Sequence, residues 1–349
     1  MKGIIQGNVM TPSSKPKMRL SHEELKHSKL NDFLLPTHID KIVQYGQLIE
    51  FTQGETIVRQ GKVIDGMYIL LNGETDIFAR ILGEGNTKLD TVGPGAFLGE
   101  ISFIEQTPSP TTATAKGNAK CIYISLMLYE LLTGYFPELK YNLLKEISVQ
   151  VCGRLKKMHD KVSDIINNSN MTSLSLLGRV IHSITQAKQS LKPITELNSA
   201  DLKHKGFFPS FTHDEVDELI EHAVLLEASK NCILIHEHEN IPACFIIMQG
   251  AVQSSIIQQN KLAKLSVIGP GSLFAGVACV DHETDFTVTF ISCESASLLK
   301  ITSEALAYFE KNRPEIWYKL FTLICGSILA LGRSINKLDV RLNIEKYNR

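Results

Sequence analysis

The chain has 349 residues, 44% of them hydrophobic and 21% charged, which is enough for about two globular domains. Its 36 basic and 37 acidic residues give a net charge of -1, which argues against a protein built to hold nucleic acid, because a phosphate backbone needs a basic surface. No apolar run approaches the roughly 18 residues of a bilayer span, and the start MKGIIQGNVM is too short and polar for a signal peptide.

Residues 1–30 carry Lys2, Lys15, Lys17 and Arg19 among polar residues, and we expect a flexible N-terminal segment. Residues 31–166 are predicted to form the first domain, which begins with a helical stretch at 38–44. Short β-rich runs follow, such as "ETIVRQG", "GMYILLNGETDIFARI" and "AKCIYIS". Apolar residues that alternate with polar ones between glycine turns predict a barrel or sandwich.

Residues 167–210 are predicted to be a helical linker, with one helix near 174–189 followed by a loop. Residues 211–349 form the predicted second domain, which again opens with a helical stretch at 213–222. Seven scattered cysteines, without a CxxC pair, predict buried thiols in a reducing, cytoplasmic compartment. A catalytic cysteine with a histidine partner is the alternative for them.

The two domains repeat each other. "MYILLNG" at 67–73 matches "CFIIMQG" at 244–250, and "FPELKYNLL" at 136–144 matches "RPEIWYKLF" at 313–321, both 177 residues apart. "VGPGAFLGEISFI" at 92–104 matches "IGPGSLFAGVACV" at 268–280, which aligns Phe97 with Phe274. We therefore predict two copies of one α+β fold, mainly β with flanking helices, each closed by a long C-terminal helix.

The closing helices carry heptad spacing. In the second copy the apolar positions step alternately by four and three residues. They are Trp317, Phe321, Ile324, Ile328, Leu331, Ile335, Leu338 and Leu342. The first copy has the same spacing at Val151, Leu155, Met158, Val162 and Ile165. Each helix could pack on its own barrel, but we favour a homodimer or partner seam for the C-terminal helix.

The stretch "GAFLGEISFIEQTPSPTTATA" at 95–115 has the small residues and hydroxyls of a phosphate-holding loop. Together with "FTQGETIVRQGKVIDGMYILLNGETDIF", it resembles the cyclic-nucleotide-binding domain of catabolite activator proteins and kinase regulatory subunits. The resemblance implies a jelly-roll-like β-roll of eight strands whose ligand lies in a cassette between two strands. Here the cassette spans Phe97 to Ala115.

The resemblance implies the roles of the cassette residues. Gly99 lets the backbone approach a phosphate, and N–H groups at the start of the short helix can face the anion. Glu100 matches the family glutamate that accepts a hydrogen bond from the ribose 2′-hydroxyl. Ligand candidates are Gly99, Glu100, Ile101, Ser109, Thr111 and Thr112. The implied ligand is cAMP or cGMP; another anion, such as a cyclic dinucleotide, is the alternative.

Ser109 departs from the family pattern. The usual cassette has a Pro-Arg pair whose arginine neutralises the cyclic phosphate, whereas here Ser109 follows Pro108. Losing that contact, worth roughly 1.5–3 kcal/mol, would weaken binding by about one to two decades unless another cation replaced it. Lys116 is the nearby candidate replacement.

The second copy departs further from the pattern. Val277 stands in the place of the glutamate and Phe286 in that of the arginine. Asp281, Glu283 and Asp285 in the intervening loop would repel a phosphate. We expect this copy to serve a structural or interaction role.

The sequence gives little support for a metal site, an enzyme, DNA binding or kinase inhibition. "HEHE" at 236–239 puts two histidines on one strand face but offers no third metal ligand, and "DHETD" at 281–285 fits a solvated acidic loop. No nucleophile elbow, P-loop or HExxH motif indicates an enzyme. Only the tail "RLNIEKYNR" follows the closing helix, which leaves no room for the family's DNA-reading motif. "KMRLS" at 17–21 is a poor match to a kinase-inhibitory segment.

Two hypotheses follow. In the first, the chain is a non-enzymatic regulator whose first copy binds a cyclic mononucleotide and signals through its closing helix. In the second, two degenerate copies form a nucleotide-independent interaction or scaffold protein.

Overall fold

The computed structural model describes residues 15–81, 85–168, 191–193, 208–239, 241–258, 261–280 and 288–347. The chain divides into two compact units, one covering 1–147 with 343–349 and the other Ser148–Leu342. The predicted linker helix near 174–189 and the acidic loop at 281–285 lie outside the described residues. The predicted domain boundaries stay a prediction, since the division after Ile147 is one of packing rather than of repeats.

The first unit contains a β-roll of two antiparallel sheets, with strand orders β1-β2-β9-β4-β7 and β3-β8-β5-β6. Its strands are β1 Met18–Arg19, β2 Gln47–Phe51, β3 Thr56–Val58, β4 Gly66–Asn72, β5 Thr75–Ile81, β6 Gly85–Val92, β7 Phe97–Leu98, β8 Thr112–Ala115 and β9 Ala119–Ser125. Tyr68 contacts both Phe51 and Tyr123 in the buried interior between the sheets. The alternating runs of the sequence supply this core.

Helices flank the first roll. They are α1 His22–Leu25, a 3-10 helix Lys29–Asp32, α2 Pro36–Tyr45, α3 Glu100–Glu105, α4 Leu126–Tyr135 and α5 Pro137–Asn168. Residues 15–30, which we expected to be flexible, are folded. β1 pairs with β2, and Leu20, Leu25 and Leu30 are buried, because their apolar side chains fill the edge of the core.

The second unit repeats this design, with sheet orders β10-β11-β18-β13-β16 and β12-β17-β14-β15. Its strands are β10 Leu191–Pro193, β11 Val224–Ala228, β12 Ile233–Ile235, β13 Cys244–Gln249, β14 Val252–Gln258, β15 Lys261–Ile268, β16 Leu273–Phe274, β17 Thr289–Ser292 and β18 Ala296–Ile301. Its helices are α6 His213–Glu221, a 3-10 helix Val277–Cys279, α7 Ser303–Asn312 and α8 Pro314–Tyr347. The α+β class is confirmed. Helices nevertheless hold more residues than strands, 42% against 32%, since the closing helices are long.

The closing helices begin alike in both copies. Ser125 caps α4 and Thr302 caps α7, each side chain accepting a hydrogen bond from a backbone N–H three residues on. Pro137 and Pro314 are the first residues of the long helices. An N–H group at this position has no partner within the helix, so proline loses no hydrogen bond there, and its fixed φ favours the first turn. These pairs are all 177 residues apart, so the repeat extends into the helices.

Seven of the eight heptad positions of α8 are buried within a single chain and Leu331 is half-buried, so the seam that we expected to hold a dimer is largely covered by the chain itself. Residues of α5 from Ser148 onward belong to the same unit as α8. A Cβ on Gly332 of α8 would lie 3.6 Å from Leu155 Cδ2 of α5, and Lys161 pairs with Asp339 at 2.8 Å. Ile335 and Leu338 are fully covered. The homodimer stays a prediction.

One described helix segment, Pro314–Leu342, is long and apolar enough to cross a membrane, which qualifies our expectation of no apolar span. Half of its most apolar 18-residue window is buried inside the protein. Core helices of globular proteins pass the same test, so the segment is weak evidence for a span.

Candidate functional site

The cassette of the first copy begins with a left-handed turn. β7 pairs with β4 through Leu98 and Tyr68, and Gly99 follows with a φ of +79°. The left-handed backbone angle favours glycine, and a Cβ at Gly99 would lie 2.4 Å from Cδ1 of Ile64, so that side chain would have to shift. The Gly99 carbonyl accepts the Phe103 N–H at 2.9 Å, which starts α3. This turn directs the chain from the sheet edge into the short helix.

Glu100 is the first residue of α3 and is only 3% exposed. A carboxylate in a first helical turn is favoured by the partial positive charge there. Ile101 is half-buried beside it, while Phe103 anchors the helix in the core. The predicted pair Gly99 and Glu100 is thus held together in the interior of the cassette.

Ser109 is buried and engaged in local hydrogen bonds. Its hydroxyl donates to the Thr111 carbonyl at 2.9 Å, and its backbone N–H donates to the Lys62 carbonyl at 2.8 Å. Its carbonyl accepts the Gly61 N–H at 2.9 Å. Ser109 therefore serves the turn and brings no charge to the cassette.

Thr112 and Lys116 also have structural partners. The Thr112 hydroxyl accepts the Gln60 N–H at 3.0 Å, which holds the Arg59–Lys62 turn against β8. Lys116 pairs with Glu74 at 2.7 Å on the surface, and the hydrogen bond to Glu74, together with its charge, raises the pKa of Lys116. Lys116 is thus not arranged as a replacement for the missing arginine.

The same hydrogen bonds hold this turn in both copies. Thr289 Oγ1 accepts the Glu237 N–H at 3.1 Å, as Thr112 accepts that of Gln60. The Glu237 carboxylate in turn accepts the Ile257 N–H at 3.0 Å, as the Gln60 amide oxygen accepts that of Arg80. Each of these residues lies 177 positions from its counterpart. The repeat is therefore preserved at the level of single contacts.

The two cassettes differ by one residue in register, which corrects the alignment of Phe97 with Phe274. Leu98 pairs with Tyr68 and Phe274 with the equivalent Phe245, so Phe274 corresponds to Leu98. The left-handed residue is then Ala275, with a φ of +65°. Gly276, rather than Val277, takes the place of Glu100. With either register, the second copy lacks the carboxylate.

A cavity of about 470 Å³ lies in the second unit, between the start of this cassette and α8. Its lining includes Ser254, Ser266, Gly276, Ser327 and Arg333. Ser254 and Ser266 hydrogen-bond to each other at 2.7 Å. The sequence did not indicate this cavity, because its lining comes from strands and a helix that are distant along the chain.

A family model described as "Cyclic nucleotide-binding domain" matches residues 48–129 and 225–312. The chain carries two cyclic nucleotide-binding domains. This confirms the family resemblance of the sequence and both copies of its repeat.

Relatives with this domain include bacterial and eukaryotic regulators. The "Cyclic AMP receptor protein" of Thermus thermophilus is 27% identical over 119 residues, which is 34% of this chain and 55% of the relative. The "cAMP-dependent protein kinase regulatory subunit" of Colletotrichum orbiculare is 24% identical over 126 residues, 36% of this chain and 32% of the relative. The match thus spans little more than half of the first relative and a third of the second.

The chain is also similar to a solved structure, the regulatory subunit of a cAMP-independent protein kinase A from Trypanosoma cruzi bound to guanosine. It is 16% identical, covers 87% of this chain and 88% of its own, and has a TM-score of 0.28.

The second unit contains a buried ion pair that sequence patterns missed. His159 Nε2 of α5 lies 2.6 Å from Glu237 Oε1, and both side chains are under a tenth exposed. Burial lowers the pKa of His159, but the hydrogen bond and charge of Glu237, helped by Asp160, outweigh burial and leave that pKa raised. "HEHE" is therefore a turn with a structural carboxylate. The described residues contain no metal-binding cluster of three or more ligand side chains.

Proposed function

We propose that the chain is a non-enzymatic regulatory protein whose first cyclic nucleotide-binding domain binds one cyclic mononucleotide, cAMP or cGMP. The observation that carries the proposal is the pair formed by Gly99 in its left-handed turn and the buried Glu100 that follows it. Only this copy keeps the carboxylate that the family uses for the ribose. The near-neutral net charge supports a partner other than DNA.

The cassette residues contribute to ligand binding in different ways. Glu100 would accept a hydrogen bond from the ribose 2′-hydroxyl, and Gly99 lets the backbone come close to the phosphate. Ser109 adds no charge, so we expect weaker binding than in relatives with an arginine, by about one to two decades. The buried cysteines support a reducing, cytoplasmic setting.

Signalling would use the helices that follow the roll. α4 ends at Tyr135 and α5 begins at Pro137, so a ligand that favours one packing of α4 also shifts the start of α5. The ligand stabilises the state that it binds better, and the populations change accordingly.

Calorimetric titration of cAMP and cGMP into the full chain tests the proposal. We expect saturable binding to the wild type and at least tenfold weaker binding to Glu100→Ala. Glu105→Ala, at the far end of α3, is the matched control and should bind like the wild type. Absence of binding at millimolar ligand, or an unchanged affinity of Glu100→Ala, contradicts the proposal.

The alternative is an interaction or scaffold protein without a nucleotide ligand. The observation in its favour is Ser109, whose buried hydroxyl is already used by Thr111. This alternative predicts that neither nucleotide changes the melting temperature of the chain. A nucleotide-dependent rise that Glu100→Ala abolishes would exclude it.

A further inference from the structure

The turn from Arg59 to Lys62 lies directly against the cassette residue that lacks a charge. The Ser109 N–H donates to the Lys62 carbonyl at 2.8 Å, and the Gly61 N–H donates to the Ser109 carbonyl at 2.9 Å. The Lys62 N–H closes the turn on the Arg59 carbonyl at 3.3 Å. Lys62 is therefore the backbone neighbour of the position at which a typical cassette has arginine.

The Lys62 side chain is half-buried, and no carboxylate among the described residues pairs with it. The other basic residue close in sequence to the cassette, Lys116, is by contrast paired with Glu74. A partly buried cation without a partner is favoured by an anion beside it, because desolvation strengthens their attraction.

The second copy has the opposite charge in the same place. Glu239 lies 177 residues after Lys62, and its N–H closes the equivalent turn on the His236 carbonyl at 3.1 Å. Its carboxylate accepts the His236 N–H at 2.8 Å and so is used inside the turn. The copy that keeps Glu100 thus has a lysine at this position, and the copy that has lost the carboxylate has an acid.

We propose that Lys62 supplies the positive charge for the ligand phosphate in place of the missing arginine. This inference rests on the proposed binding of a cyclic nucleotide by the first domain. A lysine acts on phosphate as a point charge on a flexible stem, whereas arginine offers a two-pronged donor. The arrangement therefore gives charge neutralisation with less geometric selectivity.

Calorimetry with cAMP tests the role of Lys62 in the full chain. We expect Lys62→Gln to weaken binding about tenfold and to reduce its dependence on salt, because one cation–phosphate contact is lost. Lys62→Arg keeps the charge and should keep most of the affinity. Lys116→Gln is the matched control and should bind like the wild type. Melting temperatures show whether each variant is folded.

The most decisive test combines Lys62→Gln with a second substitution, Ser109→Arg. We expect Ser109→Arg alone to strengthen cAMP binding. In that variant, the further change Lys62→Gln should leave the affinity nearly unchanged, because two cations that serve one phosphate are coupled. If Lys62→Gln binds like the wild type while Glu100→Ala does not, the role of Lys62 is wrong and the proposed function stands. If the wild type binds no nucleotide, both are wrong.

Discussion

Ser109 and Gly99 have opposite effects on the cassette. Gly99 keeps the backbone path that a ligand needs, since its φ of +79° and the nearby Ile64 side chain disfavour a larger residue. Ser109 satisfies its own hydrogen bonds within the turn and leaves the phosphate position neutral. The shape of the site is therefore preserved while its usual charge is absent.

Gly99→Ala should lower the free energy of unfolding by about 1–3 kcal/mol, because alanine must adopt a left-handed angle and press against Ile64. Urea denaturation measures the change. Gly117→Ala is the control: Gly117 has no positive φ, and nothing lies within 4 Å of its Cβ position. Equal stability of the two variants would contradict the strained turn.

The identity of the residues in the family motif indicated part of the candidate site. The pair Gly99 and Glu100 was found from the sequence because glycine and glutamate follow a recognisable strand. The register of the second cassette was not, because both copies have an aromatic residue at the strand and only its pairing with Phe245 distinguishes them. The contact of Lys62 with Ser109 joins residues 47 positions apart, which no local pattern reports.

At the level of elements, the latter part of α5 is held within the second unit by polar contacts. His159 pairs with Glu237, and Lys261 Nζ donates to the Ile166 carbonyl near the end of the helix at 2.8 Å. A cation at a helix C-terminus also offsets the partial negative charge there. The heptad pattern showed that one face of α5 is buried, but a pattern does not name what covers that face.

His159 should make stability fall as pH rises above neutrality. Its pKa is raised in the folded protein, so its contribution is complete below the unfolded value and is lost as pH passes through the folded one. Glu237, Asp160 and His238 are the titratable groups around it. The free energy of unfolding of His159→Gln, measured in urea from pH 6 to 9, should change less than that of the wild type.

His22→Gln, which alters an exposed histidine, is the control for that series. Equal slopes of stability against pH for wild type and His159→Gln would contradict the ion pair.

At the level of the whole molecule, the repeat accounts for both domains, but α8 has its partner inside the chain. The sequence favoured a dimer because an uninterrupted heptad seam is typical of paired helices. The structure satisfies that seam with residues of α5, at the crossing beside Gly332.

Light scattering should therefore give the mass of one chain, 38.9 kDa. Ile335→Glu places a charge in the buried seam and should lower stability by several kcal/mol without changing the number of chains. A dimer mass that Ile335→Glu halves would contradict the intrachain seam.

The central claim is that one of the two domains, the first, binds a cyclic nucleotide. Calorimetric titration of cAMP into the full chain measures it most directly, through the number of sites. We expect one site per chain, which Glu100→Ala removes or severely weakens. Two equivalent sites, or no binding at millimolar cAMP and cGMP, would contradict it.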